Sequence, residues 1–452
     1  MKIIIVGCSE VGQTLAAKLN DDGNEVTVID VQAEKVRAVS SRYDVMGVVG
    51  NGATQATLQE AGIENADLFI AVTDSDELNL LCCMIAKKES DCHVIARVVN
   101  PAYSEETAYL KERLGLAMVI NPDFATAEEI ARVLLFPSAL KIEPFAKGRV
   151  ELVSFRLQKD NLLVGLSVKE AMSKLKSKVL ICTVERGEEA YIPSGDFVFA
   201  EKDVVSIVAP KREAKEFFTK IRYKGHSIKD AIVAGGGAIT HYLFEIMERS
   251  GIAFKVIEKD EALCEELATR FDKVTVINGH AGDKNLLVEE GVSETGAFVA
   301  LVKGDEENIL FSMFAKEAGA EKTVTKISRI DYDSVLSKLD LDTVVCPKNI
   351  TSDIILRYVR ATGNAMGSNV ETLYNIIPDK VEAVEFIVRE GSPIVGKPLA
   401  ELAFQRNVLV ASILRGKTVI VPRGQDTIEV GDSVVLVSMG RSLSDITDAL
   451  KE

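Results

Sequence analysis

Three residues near the start of the chain are spaced to bind the phosphates of a nucleotide. Residues 6–12 are VGCSEVG, with Gly7, Ser9 and Gly12 set between the apolar run MKIII and an amphipathic stretch. A glycine turn between a strand and a helix leaves unpaired N–H groups and partial positive charge at the helix start, which suits a pyrophosphate. Asp30 follows 23 residues after Gly7, where a carboxylate can accept hydrogen bonds from ribose hydroxyls. The pattern predicts a dinucleotide site that favours NAD over NADP, because the carboxylate repels a 2′-phosphate.

Ser9 stands where the G-x-G-x-x-G pattern has its second glycine. Its side chain occupies a place where the backbone should approach the phosphates closely, but its hydroxyl can donate to a phosphate oxygen. We therefore expect the site to survive this substitution. The alternative is a turn that binds no ligand, in which the glycines serve only the bend and the packing of the helix.

The same pattern returns 228 residues later with different departures. AGGGAIT at 234–240 repeats VGCSEVG, and Glu258 at the end of FKVIE repeats Asp30 at the end of VTVID. The glycines of the phosphate turn are kept, but Thr240 replaces the glycine that packs the helix on the strand. A β-branched residue there should push the helix outward, so we expect a weaker site or a different adenine nucleotide. A turn without a ligand is the alternative here too.

The repeat covers the whole chain and gives four segments in the order A, B, A, B. In segment A, short runs rich in valine and isoleucine alternate with amphipathic stretches, which predicts βαβ units and a doubly wound parallel sheet. Segment B has strand-like runs, turn signals and one helix-like stretch, SVKEAMSKLK. The predicted fold class is α/β, with two doubly wound, Rossmann-like domains that are each followed by a small α+β module. The predicted domains are 1–140, 141–224, 225–375 and 376–452.

Composition limits the kinds of partner. The chain has 452 residues, 47% hydrophobic and 27% charged, which is enough apolar material for several cores. Its formal net charge of −15 opposes binding to nucleic acid. No apolar stretch approaches the roughly 20 residues that span a bilayer, and the start MKIIIVG lacks a cleavage-site pattern. The seven cysteines are scattered and include no C-x-x-C pair, so we expect reduced thiols, no metal site and a cytosolic protein.

A dehydrogenase is the competing hypothesis from another class. Hydride transfer needs an acid or base beside the nicotinamide and a domain that closes over a substrate. None of the four histidines lies in a motif that recurs with the glycine turns, and the chain has no Tyr-x-x-x-Lys pair. The two sites depart from the G-x-G-x-x-G pattern in different ways, which favours a sensor. A nucleotide that binds two conformations of a protein unequally is enough to shift the equilibrium between them. We therefore expect no enzymatic activity.

The first glycine-turn domain also contains GNGAT at 50–54, DSDELN at 74–79 and IARV at 95–98, and each glycine-turn domain is followed by a small module. In combination these motifs resemble the TrkA family of potassium-uptake regulatory proteins, which are built from tandem RCK domains. The resemblance covers essentially the whole chain. It implies a cytosolic homo-oligomeric ring that docks on a potassium-translocating membrane subunit at the inner face of the plasma membrane and controls it in response to NAD(H) or ATP/ADP. A nucleotide-binding scaffold unrelated to transport is a third hypothesis, because only the resemblance implies the membrane partner.

Carried over by motif, the resemblance implies two nucleotide sites at the carboxyl ends of the parallel strands. Arg97 would offer a planar fork to phosphate, with a surface ion pair as the alternative, and Lys326 in the second copy lacks that fork. His280 would contact an adenine ring or be a solvated loop residue. The first site comprises Gly7, Cys8, Ser9, Glu10, Val11, Gly12, Asp30, Asn51, Gly52, Ala53, Thr54, Thr73 and Arg97. The second comprises Gly235, Gly236, Gly237, Ala238, Ile239, Glu258, His280 and Lys326, with the loop from Asn278 to Asp283.

Overall fold

The chain forms two compact units, each assembled from both halves of the repeat. The first unit comprises Met1–Pro137 and His226–Leu356, and the second comprises Ser138–Gly225 and Arg357–Glu452. The computed structural model describes residues 1–100, 103, 106–137, 141–145, 149–187, 189–221, 228–328, 339, 341–365, 370–377, 380–416, 418–440, 443 and 445–451. The domain boundaries expected near 140 and 225 lie outside the described residues.

The first unit begins with a six-stranded parallel sheet in the order β3-β2-β1-β4-β5-β6. Its central strand carries three consecutive isoleucines that are all buried, as expected where helices cover both faces of a sheet. The strands are β1 (Lys2–Val6), β2 (Glu25–Asp30), β3 (Met46–Val49), β4 (Leu68–Ala71), β5 (His93–Arg97) and β6 (Met118–Ile120). The helices are α1 (Glu10–Asp21), α2 (Ala33–Arg42), α3 (Gln55–Glu60), α4 (Asp76–Glu89), α5 (Thr107–Leu114) and α6 (Pro122–Leu135).

A second parallel sheet in the same unit repeats this topology in the order β14-β13-β12-β15-β16-β17. The equal order of strands confirms that the two A segments are copies of one fold. The strands are β12 (Asp230–Ala234), β13 (Ala253–Glu258), β14 (Val274–Asn278), β15 (Ala297–Ala300), β16 (Thr323–Lys326) and β17 (Thr343–Val345). The helices are α9 (Ala238–Met247), α10 (Glu261–Arg270), α11 (Lys284–Glu289), α12 (Asp305–Ala318) and α13 (Pro347–Ala365).

The last helix of each parallel-sheet domain contacts the first helix of the other domain. Helix α6 buries Ile130 and Leu134 in one core with Leu243 of α9. Helix α13 contacts α1 through an ion pair, in which Lys18 Nζ lies 2.6 Å from Asp353 Oδ1. The two domains are therefore joined crosswise, and the start of each exchanged helix lies beside the other domain's glycine turn.

The second unit contains two five-stranded antiparallel sheets of matching topology, β10-β9-β11-β8-β7 and β18-β19-β22-β20-β21. Strands of the first are β7 (Lys141–Phe145), β8 (Val150–Arg156), β9 (Leu180–Arg186), β10 (Glu189–Tyr191) and β11 (Val204–Ala209), with helices α7 (Val168–Leu175) and α8 (Lys211–Lys220). Strands of the second are β18 (Val370–Ile377), β19 (Val381–Ile387), β20 (Val408–Arg415), β21 (Thr418–Ile420) and β22 (Ser433–Met439), with 3-10 turns at Leu399–Glu401 and Ile446–Ala449. Because β18 begins at Val370, the last sheet starts before residue 376, where the sequence places the beginning of the fourth domain.

Two parallel Rossmann-like sheets, each followed in the chain by an antiparallel module, are the architecture that the sequence predicts, and the predicted fold class is confirmed. The helix predicted at SVKEAMSKLK is α7. Ser167 caps its N-terminus, and Ser167 and Glu170 form reciprocal side-chain to main-chain hydrogen bonds there. Among the described residues, we find no helix with the length and apolar character needed to cross a membrane.

Candidate nucleotide-binding sites

The first glycine turn is possible only without side chains at two positions. Gly7 has φ +102°, and a Cβ there would lie 2.9 Å from the main-chain nitrogen of Thr73 and from the carbonyl of Val72. A Cβ on Gly12 would lie 1.9 Å from the carbonyl oxygen of Gly7. The turn therefore brings β1, β4 and the start of α1 closer together than any other residue type would allow.

Asp30 is hydrogen-bonded to this turn. Its Oδ2 accepts a hydrogen bond from the main-chain nitrogen of Cys8 at 2.7 Å, and its Oδ1 accepts one from Gln32 at 2.8 Å. Each oxygen of an ionised carboxylate can accept two hydrogen bonds, so capacity for ribose hydroxyls remains. The carboxylate therefore links the end of β2 to the phosphate turn.

Ser9 leaves the start of α1 without a side-chain cap. Its hydroxyl donates to the carbonyl oxygen of Val72 at 3.1 Å, and no side-chain capping bond is made to the first turn of the helix. The first N–H groups of a helix need partners from outside the helix, and a bound anion can supply them. The serine is thus accommodated by a bond to β4, and the N–H groups of the first turn keep the capacity to bind phosphate.

Thr73 and Arg97 are held together by a residue that we did not select from the sequence. Asn79 is fully buried; its Oδ1 accepts from the Thr73 nitrogen at 2.8 Å, and its Nδ2 donates to the carbonyl oxygen of Arg97 at 3.0 Å. The Arg97 guanidinium donates to the carbonyl oxygen of Thr73 at 3.0 Å. Asn308 makes the matching bonds in the second copy, to Val302 and Lys326. In the sequence, DELN at 76–79 recurs as DEEN at 305–308, and this recurrence is the signal for the two buried asparagines.

The loop 51–54 lies at the same edge of the first sheet. The main-chain nitrogen of Gly50 donates to the carbonyl oxygen of Asp30 at 3.0 Å, and Asn51 Oδ1 accepts from the nitrogen of Ala53 at 2.9 Å. A Cβ on Gly52 would lie 2.5 Å from a methyl group of Val6, at the end of β1. The structure thus brings this loop, the glycine turn, Asp30, Thr73 and Arg97 to one sheet edge.

The second glycine turn repeats this geometry. Gly235 also has φ +102°, and its carboxylate partner Glu258 accepts from the main-chain nitrogens of Gly236 at 2.6 Å and Asp260 at 2.9 Å. Gly237 precedes α9 and has no side chain to cap it, and a Cβ built on Gly237 would meet nothing within 4 Å. The second turn therefore keeps an open approach to the helix start.

A hydrogen bond holds the Thr240 side chain against the second glycine turn. Its side chain is fully buried, and its Oγ1 donates to the carbonyl oxygen of Gly235 at 2.6 Å. A Cβ at the matching Gly12 would lie 1.9 Å from the corresponding oxygen, so the start of α9 must lie further from its turn than the start of α1 does. The two sites therefore differ where the phosphates would lie.

A cleft of about 370 Å³ brings five predicted residues of the second site together: Gly235, Gly237, Glu258, His280 and Lys326. His280 is exposed, and its Nδ1 accepts from the main-chain nitrogen of Gly282 at 3.0 Å, so the ring is oriented by its own loop. Burial lowers the pKa of the Lys326 ammonium, although the charges of Asp123 and Asp305 oppose that fall. Burial disfavours the charged form of this lysine, and an anionic ligand beside it would favour that form. Its position at the end of a strand therefore suits an anionic ligand.

The side chains of the other predicted residues differ in their exposure. Cys8 is buried, and burial, with the nearby Asp30 charge, raises the pKa of its thiol to about 12. Ile239 packs its side chain in the core that joins the two domains. Val11 is half-buried, and Ala238 follows Gly237 at the start of α9. Glu10 is exposed, and Thr54 bonds within its own loop.

Comparison with known proteins matches two domain families in alternation. The TrkA-N domain matches residues 3–122 and 231–347, and the TrkA-C domain matches residues 152–222 and 383–451. Trk system potassium uptake protein TrkA homolog 1 of Methanosarcina mazei is 31% identical over 459 residues, which cover 100% of both chains. Trk system potassium uptake protein TrkA of Halomonas elongata is 31% identical and is matched over 96% of this chain and 95% of its own length.

Solved structures share the fold at low sequence identity. A GsuK channel is similar with a TM-score of 0.65 and 16% identity, over 97% of this chain and 76% of that chain. A GsuK channel bound to NAD is similar with a TM-score of 0.64 and 15% identity, over the same shares. At this identity the likeness concerns the fold alone.

Proposed function

The chain belongs to the TrkA family of Trk potassium uptake proteins, and on that premise we propose that it is a nucleotide-sensing regulatory subunit. It binds NAD(H) and ATP or ADP at the two glycine turns and controls a potassium-translocating membrane subunit. One observation carries the proposal. In each parallel sheet the first strand ends in a glycine turn, and a main-chain nitrogen of that turn donates to the acid of the next strand, Asp30 or Glu258.

The pair of acids favours nucleotides with free ribose hydroxyls. Asp30 and Glu258 each accept two main-chain hydrogen bonds and retain lone pairs for a diol. Both acids would repel a 2′-phosphate, so NADH should bind better than NADPH. A GsuK channel of the same fold is described as bound to NAD, and another is described as bound to ADP. These ligands support the same classes of nucleotide here.

Binding rather than catalysis fits the groups at the sites. The Cys8 thiol stays protonated at neutral pH because burial raises its pKa, and His280 is exposed on a loop. A regulator needs no reaction, because a ligand that binds two conformations unequally shifts their populations. A coupling of about 1–3 kcal/mol changes an equilibrium roughly 5- to 150-fold. Catalytic oxidation of NADH by the purified chain with a carbonyl substrate would contradict this view.

Self-association is supported by matching apolar residues on equivalent helices. Leu81 and Met84 on α4 are 46% and 45% exposed, and Leu310 and Met313 on α12 are 64% and 41% exposed. Large apolar residues that recur at equivalent exposed positions suit contacts between copies of a chain. We infer that such contacts build a homo-oligomeric ring that lies on the cytoplasmic side of the membrane, held there by the membrane subunit.

Reconstitution tests the proposed function. The full chain is added to vesicles that contain a Trk-type potassium-translocating subunit, and potassium flux is measured with NADH, NAD, ATP or ADP. We expect the flux to depend on the chain and to differ between nucleotides. If nucleotides bind to the chain but flux never depends on it, the protein is a nucleotide-binding scaffold outside transport.

A further inference from the structure

The start of α13 places a lysine of the second parallel-sheet domain beside the glycine turn of the first. Lys348 is the second residue of α13, and its Nζ lies 3.4 Å from Oε2 of Glu10, the first residue of α1. The Lys348 side chain is only 14% exposed, whereas that of Glu10 is 59% exposed. The lysine is therefore held by the fold, while the glutamate is able to swing into solvent.

A second contact fixes α13 against α1. Asp353, five residues after Lys348, pairs with Lys18 at 2.6 Å. These two ion pairs run along the same pair of helices, so the position of the Lys348 ammonium follows from the packing of α13. Lys18 lies two turns along α1 from the glycine turn, which makes it a matched cation in the same contact but away from the site.

The corresponding position in the other half carries the opposite charge. Pro122 and Asp123 begin α6 as Pro347 and Lys348 begin α13. The start of α6 is placed on α9 by Asn121, whose Nδ2 donates to the Tyr242 hydroxyl at 3.0 Å. A cavity of about 640 Å³ separates this part of α6 from the second glycine turn. The two halves thus differ in charge at this position, with a carboxylate at the start of α6 and an ammonium at the start of α13.

This difference bears on the phosphates of a bound nucleotide. The first N–H groups of α1 lack a side-chain cap, and the Lys348 ammonium, 3.4 Å from the carboxylate of the first residue of α1, adds a full positive charge at this end of the helix. Glu10 forms an ion pair with that ammonium, and the exposure of Glu10 allows a phosphate to replace it. We propose that Lys348 binds a phosphate of the nucleotide in the first site from the other half of the chain, so that among nucleotides with a free ribose this site favours those with a longer 5′-phosphate chain. The inference rests on the proposed function, because it requires a nucleotide at the first turn.

The test compares Lys348→Gln with Lys18→Gln in the full chain. Calorimetric titrations with adenosine, AMP, ADP and ATP measure affinity, and melting temperatures check the fold. Lys348→Gln should raise the Kd for ADP and ATP about 10-fold at one of the two sites, because one charge-assisted contact to phosphate is lost. The Kd for adenosine should not change. Lys348→Arg should restore most of the affinity, and Lys18→Gln should leave all four ligands unaffected. In an Asp30→Ala background, which disables the first site, Lys348→Gln should have no further effect.

Three results would overturn the inference. An equal loss of affinity for adenosine and for ADP would mean that Lys348 only supports the contact between α1 and α13. The same losses in Lys18→Gln would mean that the contact between α1 and α13 matters rather than the phosphate. Unchanged ADP and ATP affinities would mean that Lys348 does not reach the ligand. Failure of the wild-type chain to bind any nucleotide would instead refute the proposed function itself.

Discussion

Replacement of Asp30 by asparagine should change the preference between NADH and NADPH. The carboxylate accepts main-chain hydrogen bonds at 2.7 and 2.8 Å, and an amide retains only one oxygen to accept them. One N–H group of the turn then loses its partner, and the ribose loses a charged acceptor. Hydrogen bonds to charged groups contribute about 1.5–3 kcal/mol, so the Kd for NADH should rise about 10- to 150-fold. The Kd for NADPH should rise much less, because repulsion of the 2′-phosphate is also removed.

Calorimetry on the full chain measures both ligands, with Glu258→Gln as the matched control. Glu258 makes the same two bonds in the second copy, at 2.6 and 2.9 Å, so its variant should affect the other class of site. Melting temperatures of both variants show whether the turn stays folded. Equal weakening of NADH and NADPH would mean that Asp30 acts only by shaping the turn. Unchanged affinity for both ligands would refute its place in the site.

Three other changes test separate parts of the account. Gly12→Ala should displace α1 and lower the melting temperature and nucleotide affinity together, whereas Gly237→Ala, with nothing within 4 Å of its Cβ, should leave the melting temperature unchanged. Arg97→Ala should weaken the binding of every phosphate-bearing nucleotide by a similar factor in titrations. An effect on the binding of one nucleotide alone would contradict the role of Arg97 as a phosphate ligand. Burial raises the pKa of Asp123 above its ordinary 3.8, with Arg97 and Lys326 opposing the rise. Above the pKa of Asp123 in the folded protein, ionisation of this buried carboxyl lowers the free energy of unfolding. Below the pKa of Asp123 in the unfolded chain, the carboxyl is protonated in both states and this destabilisation disappears. Asp123→Asn should raise the free energy of unfolding at pH 7 and not at pH 3, and a gain that persists in acid would contradict the assignment.

The sequence predicts the sheets well because their signal is local. The run Ile3, Ile4, Ile5 is buried on both faces of a central strand, as an uninterrupted apolar run between helical stretches indicates. The repeat predicts the second copy of the fold because each strand and turn recurs at a nearly constant spacing. The acid at the end of the second strand is also found at the predicted edge, bonded to the turn.

The remaining features depend on contacts that spacing does not encode. The bond from Thr240 to the carbonyl oxygen of Gly235 requires a threonine rotamer and a displaced helix start. Asn79 binds groups at the ends of two strands, which only the folded sheet brings together. Lys348 lies beside the first turn because α13 packs on the helix of the other domain. No pattern within one copy of the repeat indicates that exchange.

The central claim is that each chain holds two sites that bind adenine nucleotides. A calorimetric titration of the full chain with NADH, NADPH, ATP and ADP tests it most directly, because it counts the sites and ranks the ligands. The account predicts two sites per chain, with NADH preferred over NADPH. Absence of binding by all four nucleotides would leave the two glycine turns as structural bends and would contradict the proposed sensing.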